Sequence, residues 1–150
     1  MKEIWYVRHG ETEWNAQRRF QGHLDVPLSP VGIGQAFRLA ERLSRSRISF
    51  DRLYASDLRR ARQTAEPLAQ VLGLPIATTP RRLQAFLEEV PPGRHLVVTH
   101  GGVIRAALKL ALDLAGDTWR RCHIQNTSIT RILYPANAVL TVADAAHPEV

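Results

Sequence analysis

Two histidines are each followed by glycine directly after a β-prone run. Arg8-His9-Gly10 follows Ile4-Trp5-Tyr6-Val7, and His100-Gly101-Gly102 follows His95-Leu96-Val97-Val98-Thr99. An imidazole changes charge near neutral pH, and a glycine beside it lets backbone approach a ligand. His100 also opens a helix, whose unsatisfied N–H groups and positive dipole end suit an anion. Ser56-Asp57-Leu58-Arg59-Arg60 puts two arginines in the first turn of another helix. Cations there oppose the dipole, and they make sense when an anion is bound between them. The planar fork of arginine matches phosphate oxygens two at a time. These residue types at these places point to a small anion held beside two histidines.

The elements that must position them can be read from periodicity and punctuation. Residues 4–7 form a short strand that leaves Arg8 and His9 at its carboxyl end. Ser29-Pro30 reads as N-cap and first helical position, followed by apolar Ile33, Ala36, Phe37, Ala40 and Leu43 at three- and four-residue steps. Residues 50–55 form a second strand. Ser56 then caps a helix carrying Leu58, Ala61, Ala65, Leu68 and Leu72, which Gly73 stops. Pro67 lies inside that helix and predicts a kink near Gln63-Thr64. A third strand covers 74–78, a helix covers 81–90, and Pro91-Pro92-Gly93 ends it. The strand 95–99 runs into His100 and a helix with Val103, Ile104, Ala107, Leu108, Ala111 and Leu112 on its apolar positions. Runs 128–134 and 139–143, joined by the turn-like residues 135–138, read as a hairpin at the sheet edge. Strands alternating with helices imply an α/β class, a three-layer α/β/α sandwich around a mainly parallel mixed sheet. Ligands of such sheets bind outside the carboxyl ends of the strands.

A chain of 150 residues, 45% hydrophobic and 23% charged, is expected to be one globular domain spanning 1–150. No apolar run reaches the length of a membrane span, and the first residues have no stretch of signal-peptide length. A cytoplasmic, membrane-free protein is expected. The single cysteine, Cys122, allows no intramolecular disulfide and no multi-cysteine metal site, in keeping with a reducing compartment. The net charge of +6 invites a nucleic-acid reading. All basic residues but Lys2 and Lys109 are arginine, however, and they are scattered along the chain without a tail or a nucleic-acid motif. No nucleic-acid partner is expected; a small anionic metabolite is. The edge hairpin offers a surface for a homodimer.

The motifs resemble a known family. Val7-Arg8-His9-Gly10-Glu11-Thr12-Glu13-Trp14-Asn15 and Arg19-Phe20-Gln21-Gly22-His23-Leu24-Asp25-Val26-Pro27-Leu28-Ser29 are similar to the opening of the histidine phosphatase superfamily, the phosphoglycerate mutase-like proteins. Ser56 to Thr64 resembles its Ser-x-Leu-x-Arg-Ala-x-Gln-Thr motif, and Thr99-His100-Gly101-Gly102 its second histidine motif. Asn126 to Thr130 and Asp144 to His147 resemble its closing strands, so the resemblance spans nearly the whole chain. It implies a phosphoglycerate mutase-like fold and a phosphatase acting on a small phosphomonoester. His9 would be the nucleophile that takes the phosphoryl group, its other nitrogen held by an acceptor such as the Gly10 carbonyl. Arg8, Arg60 and His100 would complete the phosphate pocket, Asn15 would add a contact, and Gln21, Gly22 and Gly101 would face the substrate. The implied mechanism needs neither metal nor cofactor. His23 and Arg59 read as surface residues, and His95, His123 and His147 as structural.

One feature of the family pattern is missing. Its members continue after the third strand with a segment close to Leu-Arg-Glu-x-x-x-Gly-x-x-Glu-Gly and with helices over the site. Here Thr79-Pro80 leads at once into Arg81-Arg82-Leu83. The resemblance therefore implies that the lid segment is lacking between Pro80 and Arg81, and with it the glutamate that serves as general acid. Glu11 and Glu13 lie in the first motif, whereas Glu88 and Glu89 read as solvated. Two alternatives to the phosphatase follow: a phosphoglycerate mutase, and a catalytically weak phosphate-binding variant without the acid.

Overall fold

A computed structural model describes residues 1–146; the elements read from sequence follow in order, with a short helix at Glu13–Ala16 and a 3-10 turn at Thr118–Arg121 that the sequence reading lacked. Strand β1 spans Lys2–Arg8 and the short helix α1 spans Glu13–Ala16. Helix α2 covers Pro30–Ser46, β2 Arg52–Ala55, α3 Arg59–Leu72 and β3 Ile76–Thr78. Helix α4 covers Leu83–Glu89, β4 Gly93–Thr99 and α5 Gly101–Leu112. A 3-10 turn at Thr118–Arg121 precedes the hairpin of β5, Ile129–Tyr134, and β6, Ala138–Asp144. His147, read as structural from sequence, lies outside the described residues.

The six strands form one sheet in the order β3-β2-β4-β1-β5-β6. Neighbours β3-β2, β2-β4 and β4-β1 are parallel, while β1-β5 and β5-β6 are antiparallel. The mixed, mainly parallel sheet and the edge position of the hairpin agree with the sequence reading. Alternation along β1 splits its side chains between two cores. Trp5 and Val7 pack with Leu39, Leu43, Ala61 and Leu68 of α2 and α3. Ile4 and Tyr6 pack with Phe86, Ile104 and Leu108 of α4 and α5. Helices cover both faces, which makes the three layers.

Local chemistry explains the helix ends. The Ser29 hydroxyl accepts from the Gly32 N–H at 3.1 Å with Pro30 at the first helical position, as read from sequence. Gly73 closes α3 at φ 64°.

Two expectations fail here. Ser56 is not the cap of α3: Leu58 holds that position with no side-chain cap bond, and the Asp25 carboxylate accepts the Arg59 N–H at 2.7 Å instead. Periodicity sees only neighbours along the chain, and this cap comes from a loop 34 residues away. Ile33 and Phe37 on α2 are exposed, because the buried stripe runs through Gly32, Ala36, Leu39, Ala40 and Leu43. Helix α3 continues through Pro67, whose ring is buried.

Candidate active site

The two central parallel strands, β1 and β4, pair along their full length, with Arg8 opposite Thr99. Their carboxyl ends therefore deliver His9 and His100 to the same rim. The His9 N–H donates to the Thr99 carbonyl at 2.9 Å, and the two imidazole centroids stand 5.3 Å apart. Arg60, in the first turn of α3, joins them from the side of β2. Four residues that the sequence singles out, Arg8, His9, Arg60 and His100, meet at this rim.

His9 is 3% exposed, and its Nδ1 lies 2.7 Å from the Gly10 carbonyl. A carbonyl can only accept, so Nδ1 carries the proton and Nε2 keeps its lone pair. Burial pushes the His9 pKa down to about 3; His100, Arg8 and Arg60 push the same way and the Gly10 carbonyl opposes them. The ring is neutral at physiological pH, as a nitrogen nucleophile must be. The surrounding backbone is braced. Asn126 Nδ2 donates to the His9 carbonyl at 2.9 Å, and the Gly10 N–H donates to Thr64 Oγ1 at 2.9 Å.

His100 caps α5, and its Nε2 stands 2.8 Å from the Ser56 hydroxyl. Its pKa falls to about 4 through burial first and then Arg60 and Arg8, against an upward pull from Asp57. Arg60 is 3% exposed and donates to the Leu24 and Gly22 carbonyls at 2.5 and 2.9 Å. Arg8 donates to the Ile124 carbonyl at 2.6 Å. Burial lowers the pKa of both guanidiniums, Arg8 further through Arg105 and Arg60, with Asp25 opposing the fall at Arg60. Among the described residues no carboxylate forms an ion pair with either, and the Nε of each is buried without an acceptor. The pocket is rich in donors and short of acceptors, which is the electrostatic complement of an anion.

The other sequence candidates take mixed places. Asn15 Oδ1 accepts from the Thr12 N–H at 3.1 Å and from Asn126 at 3.4 Å, in the capping box of α1. Gln21 is buried and accepts from the Thr12 hydroxyl at 2.7 Å, so it holds the loop. Gly22 lends its carbonyl to Arg60. A Cβ on Gly101 would stand 3.1 Å from Arg105 Nη1 and 3.5 Å from Arg8 Nε, so the bare Cα makes room for two guanidiniums. His23 and Arg59 are exposed, and His95 is buried with Nε2 2.8 Å from the Pro91 carbonyl. Sequence reasoning gave no role to Thr64, Asn126 or Arg105. Thr64 sits inside a quoted motif and Asn126 opens another, so a signal existed for those two. Arg105, held to the Cys122 carbonyl at 2.8 Å, had none.

A cavity of about 540 Å³ opens beside His100. Tyr6, Val97 and Phe86 floor it, and Phe20, Leu58, Leu83 and Val103 wall it. Thr79, Pro80 and Arg81 form part of the rim. Glu88 and Glu89 are exposed on α4, as read from sequence. Among the described residues no group of three or more His, Cys, Asp or Glu side chains could hold a metal ion.

A sequence profile of the histidine phosphatase superfamily, branch 1, matches residues 4–84 and 81–143. The two stretches overlap at residues 81–84. The chain is 30% identical to a protein named "Probable phosphoglycerate mutase GpmB" from Yersinia pestis, over 186 aligned positions covering 89% of this chain and 86% of the relative. Those positions outnumber the 150 residues of this chain, so the relative carries residues with no counterpart here. Among solved structures, the phosphoserine phosphatase of Entamoeba histolytica in complex with 3-phosphoglyceric acid superimposes with a TM-score of 0.81 at 21% identity. That superposition covers 95% of this chain and 96% of the other. A mycobacterial glucosyl-3-phosphoglycerate phosphatase complexed with VO3 gives 0.74 at 23% identity, covering 93% and 95%. At these identities the structural likeness speaks for the fold.

Proposed function

The chain belongs to the histidine phosphatase superfamily, and from that premise we propose that it hydrolyses a small phosphomonoester through a phosphohistidine on His9. The carrying observation is the fixed tautomer of His9, with Nδ1–H on the Gly10 carbonyl and a neutral Nε2 beside Arg8, Arg60 and His100. Nε2 attacks phosphorus, a P–N bond forms, and the ester P–O bond breaks with its electron pair leaving on the alcohol oxygen. Water then attacks phosphorus, the P–N pair returns to Nε2, and the water proton passes to solvent. Arg8, Arg60 and His100 neutralise the charge on the equatorial oxygens throughout. Asn15 Nδ2 adds a phosphate contact, and Gly101 keeps the space into which Arg8 reaches.

The relative named as a mutase offers a second reading, in which the substrate carboxylate is gripped while the phosphoryl group is returned. The chamber speaks against it. Among the residues that line it, the one arginine or lysine is Arg81, which faces Asp57 at 3.9 Å. A small phosphorylated metabolite in the cytoplasm is the partner this reading calls for, and neither nucleic acid nor membrane enters it. The β6 edge remains the surface for a homodimer.

Rapid quenching with a phosphorus-labelled ester tests the mechanism. Acid-labile label is expected on the wild-type protein and none on His9→Ala; label retained by His9→Ala would overturn it.

A further inference from the structure

Resting on the phosphatase reading, we infer that the chamber beside His100 receives an apolar, aromatic leaving group, so that the preferred substrates are phosphomonoesters of phenol-like alcohols. Two independent observations converge. The first is the lining. Next to the phosphate pocket most of the lining is apolar, from Phe20, Leu58, Leu83, Phe86 and Val103, with Ser56, Thr79, His23 and the exposed pair Asp57 and Arg81 as polar members. Phe20 lines the chamber and is 93% exposed. An exposed aromatic beside an apolar chamber is a surface for a flat apolar ring, since aromatic pairs gain beyond their area. A sugar or glycerate would set hydroxyls or a carboxylate against the apolar stretch of Leu58, Leu83, Phe86 and Val103, which offers them no partner.

The second observation is the state of the carboxylates. Glu11 Oε1 accepts from the Ser29 hydroxyl at 3.3 Å, Asp25 accepts from the Arg59 N–H at 2.7 Å, and Asp57 faces Arg81. None of the three is buried, and among the described residues no carboxylate stands as a buried proton donor in the chamber. Without such an acid the alcohol must depart as its oxyanion when the P–O bond breaks. A phenol, with a pKa about 10 like that of tyrosine, bears that charge far better than an alcohol near the pKa of water, about 16. The wall that would hold the ring and the missing proton donor thus select the same chemical class.

The aryl group can belong to a free metabolite or to phosphotyrosine in a peptide, and the probes separate these. Hydrolysis of 1-naphthyl phosphate, phenyl phosphate, glycerol 3-phosphate, a phosphotyrosyl peptide and the matching phosphoseryl peptide is measured on the full chain. Naphthyl phosphate is expected to exceed phenyl phosphate by about tenfold in kcat/KM through KM, since the second ring adds apolar area at similar leaving ability. Either aryl probe should exceed its alkyl counterpart by more than a hundredfold, and the better of the two aryl probes identifies the source. Phe20→Ser should close the naphthyl-to-phenyl gap, whereas Phe37→Ser, 59% exposed on the far side of α2, should leave it open. Equal rates on aryl and alkyl esters, or a gap indifferent to Phe20→Ser, would overturn the inference while label on His9 still upheld the phosphatase. Absence of both turnover and label would instead bring down the phosphatase reading.

Discussion

At the scale of single residues, the site works by keeping imidazoles neutral among cations. Burial, with Arg8 and Arg60 adding to it, drives His9 and His100 to about 3 and about 4, although both would protonate near 6.5 in an unfolded chain. Between those values the unfolded chain binds more protons than the folded one. The stability these groups contribute is therefore complete above pH 6.5 and is lost as pH falls toward 4 and 3. Urea unfolding should show the protein weaker at pH 5 than at pH 7, by roughly 1 to 2 kcal/mol for each histidine. In the His9→Gln/His100→Gln double variant that difference should shrink, and an unchanged one would contradict the burial account. Thr64 is a bracing residue of the same kind, since its hydroxyl accepts from the Gly10 N–H and donates to the Arg60 carbonyl at 2.7 Å. Thr64→Val leaves the Gly10 N–H buried without an acceptor, so a loss of about 1 to 3 kcal/mol is expected. A fall in kcat larger than any change in KM for phenyl phosphate should accompany it, because Gly10 holds the tautomer of His9.

At the scale of elements, the positions of the arginines depend on loops that the helices borrow. Asp25 closes the N-terminus of α3 from the loop that also offers its Leu24 and Gly22 carbonyls to Arg60. Asp25→Ala should remove about 1 kcal/mol of stability, as lost caps do. It should also raise KM for phenyl phosphate by loosening Arg60, and calorimetry with steady-state kinetics reads both. Helix α2 is seated more tightly. A Cβ on Gly32 would come within 2.0 Å of the Glu11 carbonyl oxygen, a backbone atom that cannot swing aside. Gly32→Ala should thus lower the unfolding midpoint well beyond the effect of Ser29→Ala, whose lost cap is worth about 1 kcal/mol. A Gly32→Ala protein as stable as wild type would show that the contact yields.

At the scale of the whole molecule, the +6 charge and the pocket are connected. Much of the remaining charge is spent in surface pairs such as Arg42 with Asp144 at 2.6 Å, or clustered on Glu3, which Arg94 and Arg131 approach at 2.9 and 2.8 Å. Among the described residues Arg8 and Arg60 have no such partner, so an oxyanion that binds the folded chain alone should stabilise it. Inorganic phosphate at a hundred times its Kd should add about 2.7 kcal/mol to the unfolding free energy. Arg60→Ala should lose that gain, and a gain kept by the variant would place the anion elsewhere.

The layers and the strand ends are legible along the chain, as are the residue types that meet at the rim. The β-prone run of β1, the cap at Ser29, the glycine stop at Gly73 and the histidines after β1 and β4 are all written in neighbours along the chain. Even the Gly10 carbonyl as partner of His9 was legible, being one residue away. The tertiary structure alone decided what joins distant segments. The cap of α3 by Asp25, the latch of Arg60 on Leu24, the brace of Asn126 on His9 and the convergence of Arg105 on Arg8 link residues that no periodicity connects. So does the apolar chamber, assembled from β1, β4, α4, α5 and the loop of Phe20. Local patterns set which way a side chain points along its own element, and only packing sets what it meets there.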